Sequence, residues 1–200
     1  MKILTLSYYI INHVKSVDPL KLQKLLYYTK VWGLVSGARI VHEPFEKWAY
    51  GPVNPEVYAK FKGYGNSVIP KSNVPDAKAP KDEKELIDFI LACYSPFDAV
   101  TLSALTHQDI PWQETPKNHV ISESSILKYY SKSPFAKNFP FDENKPFYPV
   151  ETDFHYAFIF DMEEKTAKSL PFFSFKEYKK LMRQNRLMLE NAISTIGNSN

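Results

Sequence analysis

The sequence predicts a mainly α, compact multi-helix domain carrying a small β-hairpin or sheet, an α+β arrangement. Three observations carry this expectation. Leu20, Leu22, Leu25, Leu26, Tyr27, Tyr28, Val31, Trp32, Leu34 and Val35 cover most of a helix circumference, which places that helix at the centre of the domain. A capping residue followed by proline recurs at Asp18-Pro19, Asn54-Pro55 and Ser95-Pro96, the pattern of a helix start whose first residue needs no N–H. Between the first two starts lie two β-compatible runs, 38–41 and 45–50, with His42-Glu43-Pro44 as the loop that joins them.

Taken in order, Ile3, Leu6, Ile10, Ile11 and Val14 fall at helical spacing, so residues 3–15 are read as an amphipathic helix and not as a signal peptide. The central helix follows from Asp18 and stops at Gly37. Gly51-Pro52 is expected to break the second β run. The Asn54-Pro55 helix presents Val57, Tyr58 and Phe61 before Gly63 and Gly65 end it. Residues 67–80, with three prolines, read as a loop. Residues 81–94 form a helix with Leu86, Ile87, Ile90, Leu91 and Tyr94 inward, and Phe97, Val100, Leu102 and Leu105 continue the layer after Ser95-Pro96. Asp109 and Pro111 open a short helical turn bearing Trp112, and residues 122–131 supply a further helix. From 133 to 149 four prolines and four phenylalanines alternate with charges, which predicts an extended segment over the surface. Residues 154–160 are a strand candidate, pairing with 45–50 or a hairpin edge. Residues 174–196 form a last helix with an apolar seam through Tyr178, Met182, Asn185, Leu189, Ala192 and Ile196.

Three blocks in this order resemble a known family. They are Leu20-Lys-Leu-Gln-Lys-Leu-Leu-Tyr-Tyr28, then Trp48-Ala-Tyr-Gly-Pro-Val-Asn-Pro-Glu-Val-Tyr-Ala-Lys-Phe-Lys-Gly-Tyr-Gly65, then Leu102-Ser-Ala-Leu-Thr-His-Gln-Asp-Ile-Pro-Trp112. Together they are similar to the Panacea, or SocA-like, antitoxin domain, earlier described as phage-associated GepA-type proteins. The resemblance implies a Panacea-like domain over residues 1–132, with 133–200 as a C-terminal extension packed on it. It also implies an antitoxin that neutralises a cognate protein toxin by direct binding. A second reading is an adaptor that delivers the partner to a protease, with the C-terminal region as the protease contact.

Composition narrows the other classes. A net charge of +3 over 200 residues is too mild for a nucleic-acid surface, and the 122–131 helix offers only Lys128 toward bases, so a DNA-binding regulator ranks low. No apolar run reaches the length of a membrane span. The single cysteine, Cys93, excludes an internal disulfide, fits a reducing cytoplasm, and reads as a small core residue. His13, His42, His107, His119 and His155 show no ligand spacing, so neither metal nor cofactor is expected. Gly63-Tyr-Gly65 lacks the context of a nucleotide loop, and Ser125-Ile-Leu-Lys128 lacks the partner motif of a serine acyl-enzyme. No catalytic set emerges.

The residues assigned to partner binding are Trp48, Tyr50, Gly51, Pro52, Val53, Tyr58 and Lys62. One strand face can be buried beside the Gly-Pro turn, so either Trp48 or Tyr50 faces a partner. Asp18, Pro19, Leu25, Trp32, Asn54, Pro55, His107, Pro111 and Trp112 are assigned to the structural motif, with Trp32 and Trp112 in the core and His107 capping a helix C-terminus. Lys21, Lys24, Lys60 and Lys62 are read as solvated faces. Self-association is left open.

Overall fold

The computed structural model describes residues 1–150, 172–184 and Leu187. The chain divides into two units, Met1–Ala136 and Lys137–Asn200. The first is mainly α with one small antiparallel sheet, which is the expected fold class. In order it contains α1 (Ile3–His13), α2 (Pro19–Ser36), β1 (Glu46–Trp48), β2 (Gly51–Val53), α3 (Pro55–Phe61), α4 (Lys81–Tyr94), α5 (Ala99–Gln108), α6 (Ile110–Glu114) and α7 (Glu123–Tyr130).

Helix α2 is the axis of the unit. The Asp18 carboxylate accepts from the Lys21 amide at 2.9 Å, Pro19 occupies the first turn, and Gly37 closes the helix in the left-handed conformation at φ 83°. Its side chains are buried against α1, α3, α4, α5, α7 and β2. Leu22, Leu25 and Leu26 are fully enclosed, each contributing about 1.5–3 kcal/mol of transfer free energy. Trp32 is core as expected, its indole N–H donating to the Tyr94 hydroxyl at 2.7 Å. Phe135 completes the wall, packed on Trp32, Phe89 and Tyr94. Cys93 is buried, as its core reading requires.

Helix α2 also corrects the reading of its lysines. Lys21 and Lys24 are buried, not solvated, and Lys30 of the same helix is buried as well. A helix apolar round most of its circumference has no solvent face, so its long cations must end on internal acceptors. Lys21 donates to the Ser95 carbonyl at 2.8 Å. Lys30 donates to the Val41 carbonyl at 3.1 Å and pairs with Glu123 at 2.7 Å.

Other boundaries move for similar reasons. Residues 38–41 are not a strand, because Arg39 adopts a positive φ of 47° and the carbonyls of Ile40 and Val41 are taken by the N-terminal ammonium and Lys30. The sheet is a tight hairpin, and Gly51-Pro52 belongs to its second strand and does not break it. Ser95 ends α4, whereas the cap of α5 is Asp98, whose carboxylate accepts from Thr101 at 2.7 Å. Val100 consequently points outward at 74 % exposure, and Ser103 and Thr106 face inward. Asn54 caps α3 as expected, accepting from Val57 at 3.0 Å. In the 67–80 loop Ile69 is buried and its amide donates to the Val17 carbonyl at 2.8 Å.

In the second unit Phe147 and Phe172 exchange backbone hydrogen bonds at 2.9 and 2.7 Å. Phe147, Phe175 and Tyr178 cluster, with Phe147 and Tyr178 ring centroids 4.6 Å apart. Segment 133–149 is therefore not simply extended over the surface, since Phe135 and Phe147 are both buried. Residues 175–184 are helical, with Tyr178 buried and Met182 partly exposed. The 154–160 strand candidate and the seam positions Asn185, Leu189, Ala192 and Ile196 lie outside the described residues.

Candidate functional site

The β1–β2 hairpin is the feature that the rest of the first unit braces. Its register pairs Glu46 with Val53, Lys47 with Pro52 and Trp48 with Gly51. Three-residue strands do not hold a shape alone in water. Residues 118–121 cover the outer edge of β1: the Lys47 amide donates to the His119 carbonyl at 2.9 Å and the Ile121 amide to the Phe45 carbonyl at 2.8 Å. Helix α2 holds the inner side. Gln23 exchanges bonds with the Asn54 backbone at 3.1 and 2.8 Å, and the Lys24 ammonium donates to the Pro52 carbonyl at 3.0 Å. Helix α5 holds the tip, where the Ser103 hydroxyl donates to the Tyr50 carbonyl at 2.9 Å.

Gly51 shows why the sequence needs glycine there. Its φ is 98°, and a Cβ would stand 2.5 Å from Thr106 Oγ1 and 2.6 Å from Lys24 Nζ, both in fully buried residues. The turn is thereby pressed onto α2 and α5, and the residue before it is thrown outward. Tyr50 is 73 % exposed. Trp48 is half-buried, with its indole N–H donating to Glu46 at 2.9 Å and its ring edge-on to Tyr58 at 4.9 Å. Tyr58, at 42 % exposure, and Lys62 are also open to solvent. Of the residues assigned to partner binding, Trp48, Tyr50, Tyr58 and Lys62 thus have surface to offer. Gly51, Pro52 and Val53 are buried and act as the support beneath them.

The other face of β1 carries the third sequence block. Lys47 Nζ lies 4.6 Å from the centre of the Trp112 ring and donates to the Gln113 carbonyl at 2.7 Å. Trp112 lies at the edge of the core, partly exposed, with its indole nitrogen buried and its ring tilted against His107 at 4.2 Å. The imidazole of His107 does not cap its helix; Gln113 Nε2 takes the His107 carbonyl at 2.9 Å, and the ring lies under the hairpin turn by the Ala49 carbonyl. Pro111 is buried at the first turn of α6.

Two buried groups give the site its electrostatics. Lys24, 0 % exposed, forms no ion pair with any described residue, and burial pushes its ammonium down to about 7. Burial, then the Lys24 charge, also lowers the His107 imidazole below its ordinary value, against the opposing effect of the Ala49 carbonyl. Gln23 and Lys24 are the functional supports that pattern reading missed. Their signal lay in α2 itself, where an all-round apolar helix leaves its polar members no outlet except the neighbouring backbone.

No group of histidine, cysteine and carboxylate side chains among the described residues is arranged to hold a metal ion. No single helix among them is long and apolar enough to cross a membrane. What the hairpin offers is a rigid aromatic surface, the chemistry of protein–protein contact. The class defined here is a helical domain built on a buried axis that presents a braced hairpin. Residues 22–113, from the first turns of α2 to α6, match the family model described as antitoxin SocA-like, Panacea domain. The resemblance expected from the three motif blocks holds over that segment, and the match supports a role in a toxin–antitoxin system. No curated protein and no solved structure matches the chain.

Proposed function

We propose that this protein is a non-catalytic antitoxin that neutralises a cognate protein toxin by binding it directly through the aromatic surface of the β1–β2 hairpin. The observation that carries the reading is Tyr50, held 73 % exposed at the tip of a turn whose backbone is fixed from α2 and α5. An aromatic anchor with little freedom left to lose is what a tight protein contact selects. Trp48, Tyr58 and Lys62 extend the same surface. The family match over residues 22–113 supplies the expectation that the partner is a toxin.

The test is co-expression with the protein encoded next to this one. Growth should be arrested by that neighbour alone, restored with this chain, and a stable complex should be recovered. Tyr50→Ala should weaken the complex by about 2 kcal/mol or more while leaving the melting temperature of the free protein unchanged. Unaltered affinity in both Tyr50→Ala and Tyr58→Ala would remove the hairpin from the interface. Rescue in which the neighbour disappears from the cell would favour delivery to a protease instead.

A further inference from the structure

We propose that Lys24 and His107 form a proton-operated latch beneath the β1–β2 hairpin, which loosens on acidification and so withdraws the fixed presentation of Tyr50. The inference concerns the free protein and does not depend on what the hairpin binds.

The argument begins with an imbalance of charge. The hairpin turn rests on Lys24 from α2 and on Ser103, Thr106 and His107 from α5. Lys47 of β1 adds a third basic group that acts on His107. The nearby carboxylates on the packed elements are committed elsewhere. Glu46 accepts from the Trp48 indole, and Asp109 accepts from the Tyr130 hydroxyl. Lys24 has three N–H bonds to place when charged, and its one hydrogen bond goes to the Pro52 carbonyl at 3.0 Å. Thr106 Oγ1, the other polar atom beside Gly51, donates to the Ser103 carbonyl at 2.7 Å and makes no hydrogen bond with Lys24. His107 Nε2 is buried without a hydrogen-bond partner. A charged Lys24 at this place is a cation in a dry site with a neutral acceptor only, and protonation of the half-buried His107 sets a second cation beside it, which is costly.

The direction follows from linkage. The closed hairpin holds Lys24 down near 7 from an ordinary 10.5, and it lowers His107 as well. Opening lets water reach both groups and restores their proton affinity. The open form therefore binds more protons, and falling pH favours it. From the ordinary lysine value of 10.5 down to the Lys24 midpoint near 7 the open fraction should rise by roughly tenfold per pH unit. Below that midpoint, where both forms carry the proton, the Lys24 contribution levels off and only His107 adds to it. The latch is tightest at the alkaline end, where the neutral amine donates to the Pro52 carbonyl.

The experiment is an NMR titration of the full-length wild-type chain from pH 5 to 9. It follows the Lys24 Cε and Nζ resonances, with the amide exchange protection of Tyr50 and Gly51 corrected for intrinsic rates. The expected result is a Lys24 midpoint near 7, with hairpin protection falling as pH drops from 9 toward 7 and levelling off below, while α2 protection holds. A Lys24 midpoint in the ordinary lysine range, or hairpin protection independent of pH, overturns the proposal. Two variants separate the groups. Lys24→Met should abolish most of the pH dependence, and His107→Gln should keep it. If instead the dependence vanishes in His107→Gln and survives in Lys24→Met, Lys24 is not the latch. The titration of the wild type decides the matter even if Lys24→Met fails to fold.

Discussion

At the scale of single residues, the most consequential groups are buried polar ones that lack a conventional partner. Asp109 is the acidic example. It stands at the start of α6 without capping it, and the hydroxyls of Tyr130, Tyr129 and Tyr28 are directed at it. Burial pushes its carboxyl up to about 6, and the three tyrosine hydroxyls limit the rise by favouring the ionised form. Burial likewise raises the hydroxyls of Tyr28 and Tyr130 well above the ordinary range. A carboxyl raised from 3.8 to about 6 favours the folded state most when protonated. Its contribution is complete below about pH 4 and lost as pH rises through 6. Wild type should therefore lose stability relative to Asp109→Asn between pH 4 and 7. Urea melts of both proteins at several pH values across that window measure the difference. A difference that stays constant would show that Asp109 titrates as an ordinary carboxyl.

At the scale of elements, the hairpin shows how a three-residue strand can be made rigid. Its two strands contribute few hydrogen bonds to each other, so its shape comes from what lies beneath and beside it. Gly51 is where this support is least forgiving. A left-handed φ already costs a branched residue about 1–3 kcal/mol, and here the added carbons would also meet enclosed Thr106 and Lys24. Gly51→Val should destabilise the protein by more than about 1 kcal/mol in denaturant melts and shift the amide signals of α3, which begins two residues beyond β2. Melts matching wild type would mean that the turn can be accommodated elsewhere.

At the scale of the whole molecule, the first unit carries a large buried core around α2. Phe135, one residue before its end, packs on Trp32, Phe89 and Tyr94, and a chain cut after Ala136 keeps those contacts. A unit of this length is large enough to bury an independent core. Residues 1–136 alone should therefore unfold in a single cooperative transition and still bind the partner that the full chain binds. Calorimetry and a pull-down on the truncated protein check both parts. A folded truncation that no longer binds would assign the contact to 137–200.

Local chemistry in the sequence determined much of this. Asp18-Pro19 and Asn54-Pro55 start helices wherever they occur in such a context, because a side-chain oxygen and a missing N–H are requirements of the first turn alone. The all-round apolar surface of α2 likewise required a central position. The three motif blocks pointed, without any coordinates, to the domain family whose model matches residues 22–113. Other features depended on partners distant in sequence. Ser95 and Asp98 are both competent caps, and because α4 runs on to Tyr94 and ends at Ser95, Asp98 is the one that starts α5. The 38–41 run had β propensity, yet its carbonyls went to Met1 and Lys30, so no ladder could form. Lys24 is the clearest case. Lysine belongs in water by its own chemistry, and only the closure of β2 and α5 over α2 took that water away, leaving the ammonium the Pro52 carbonyl 28 residues on.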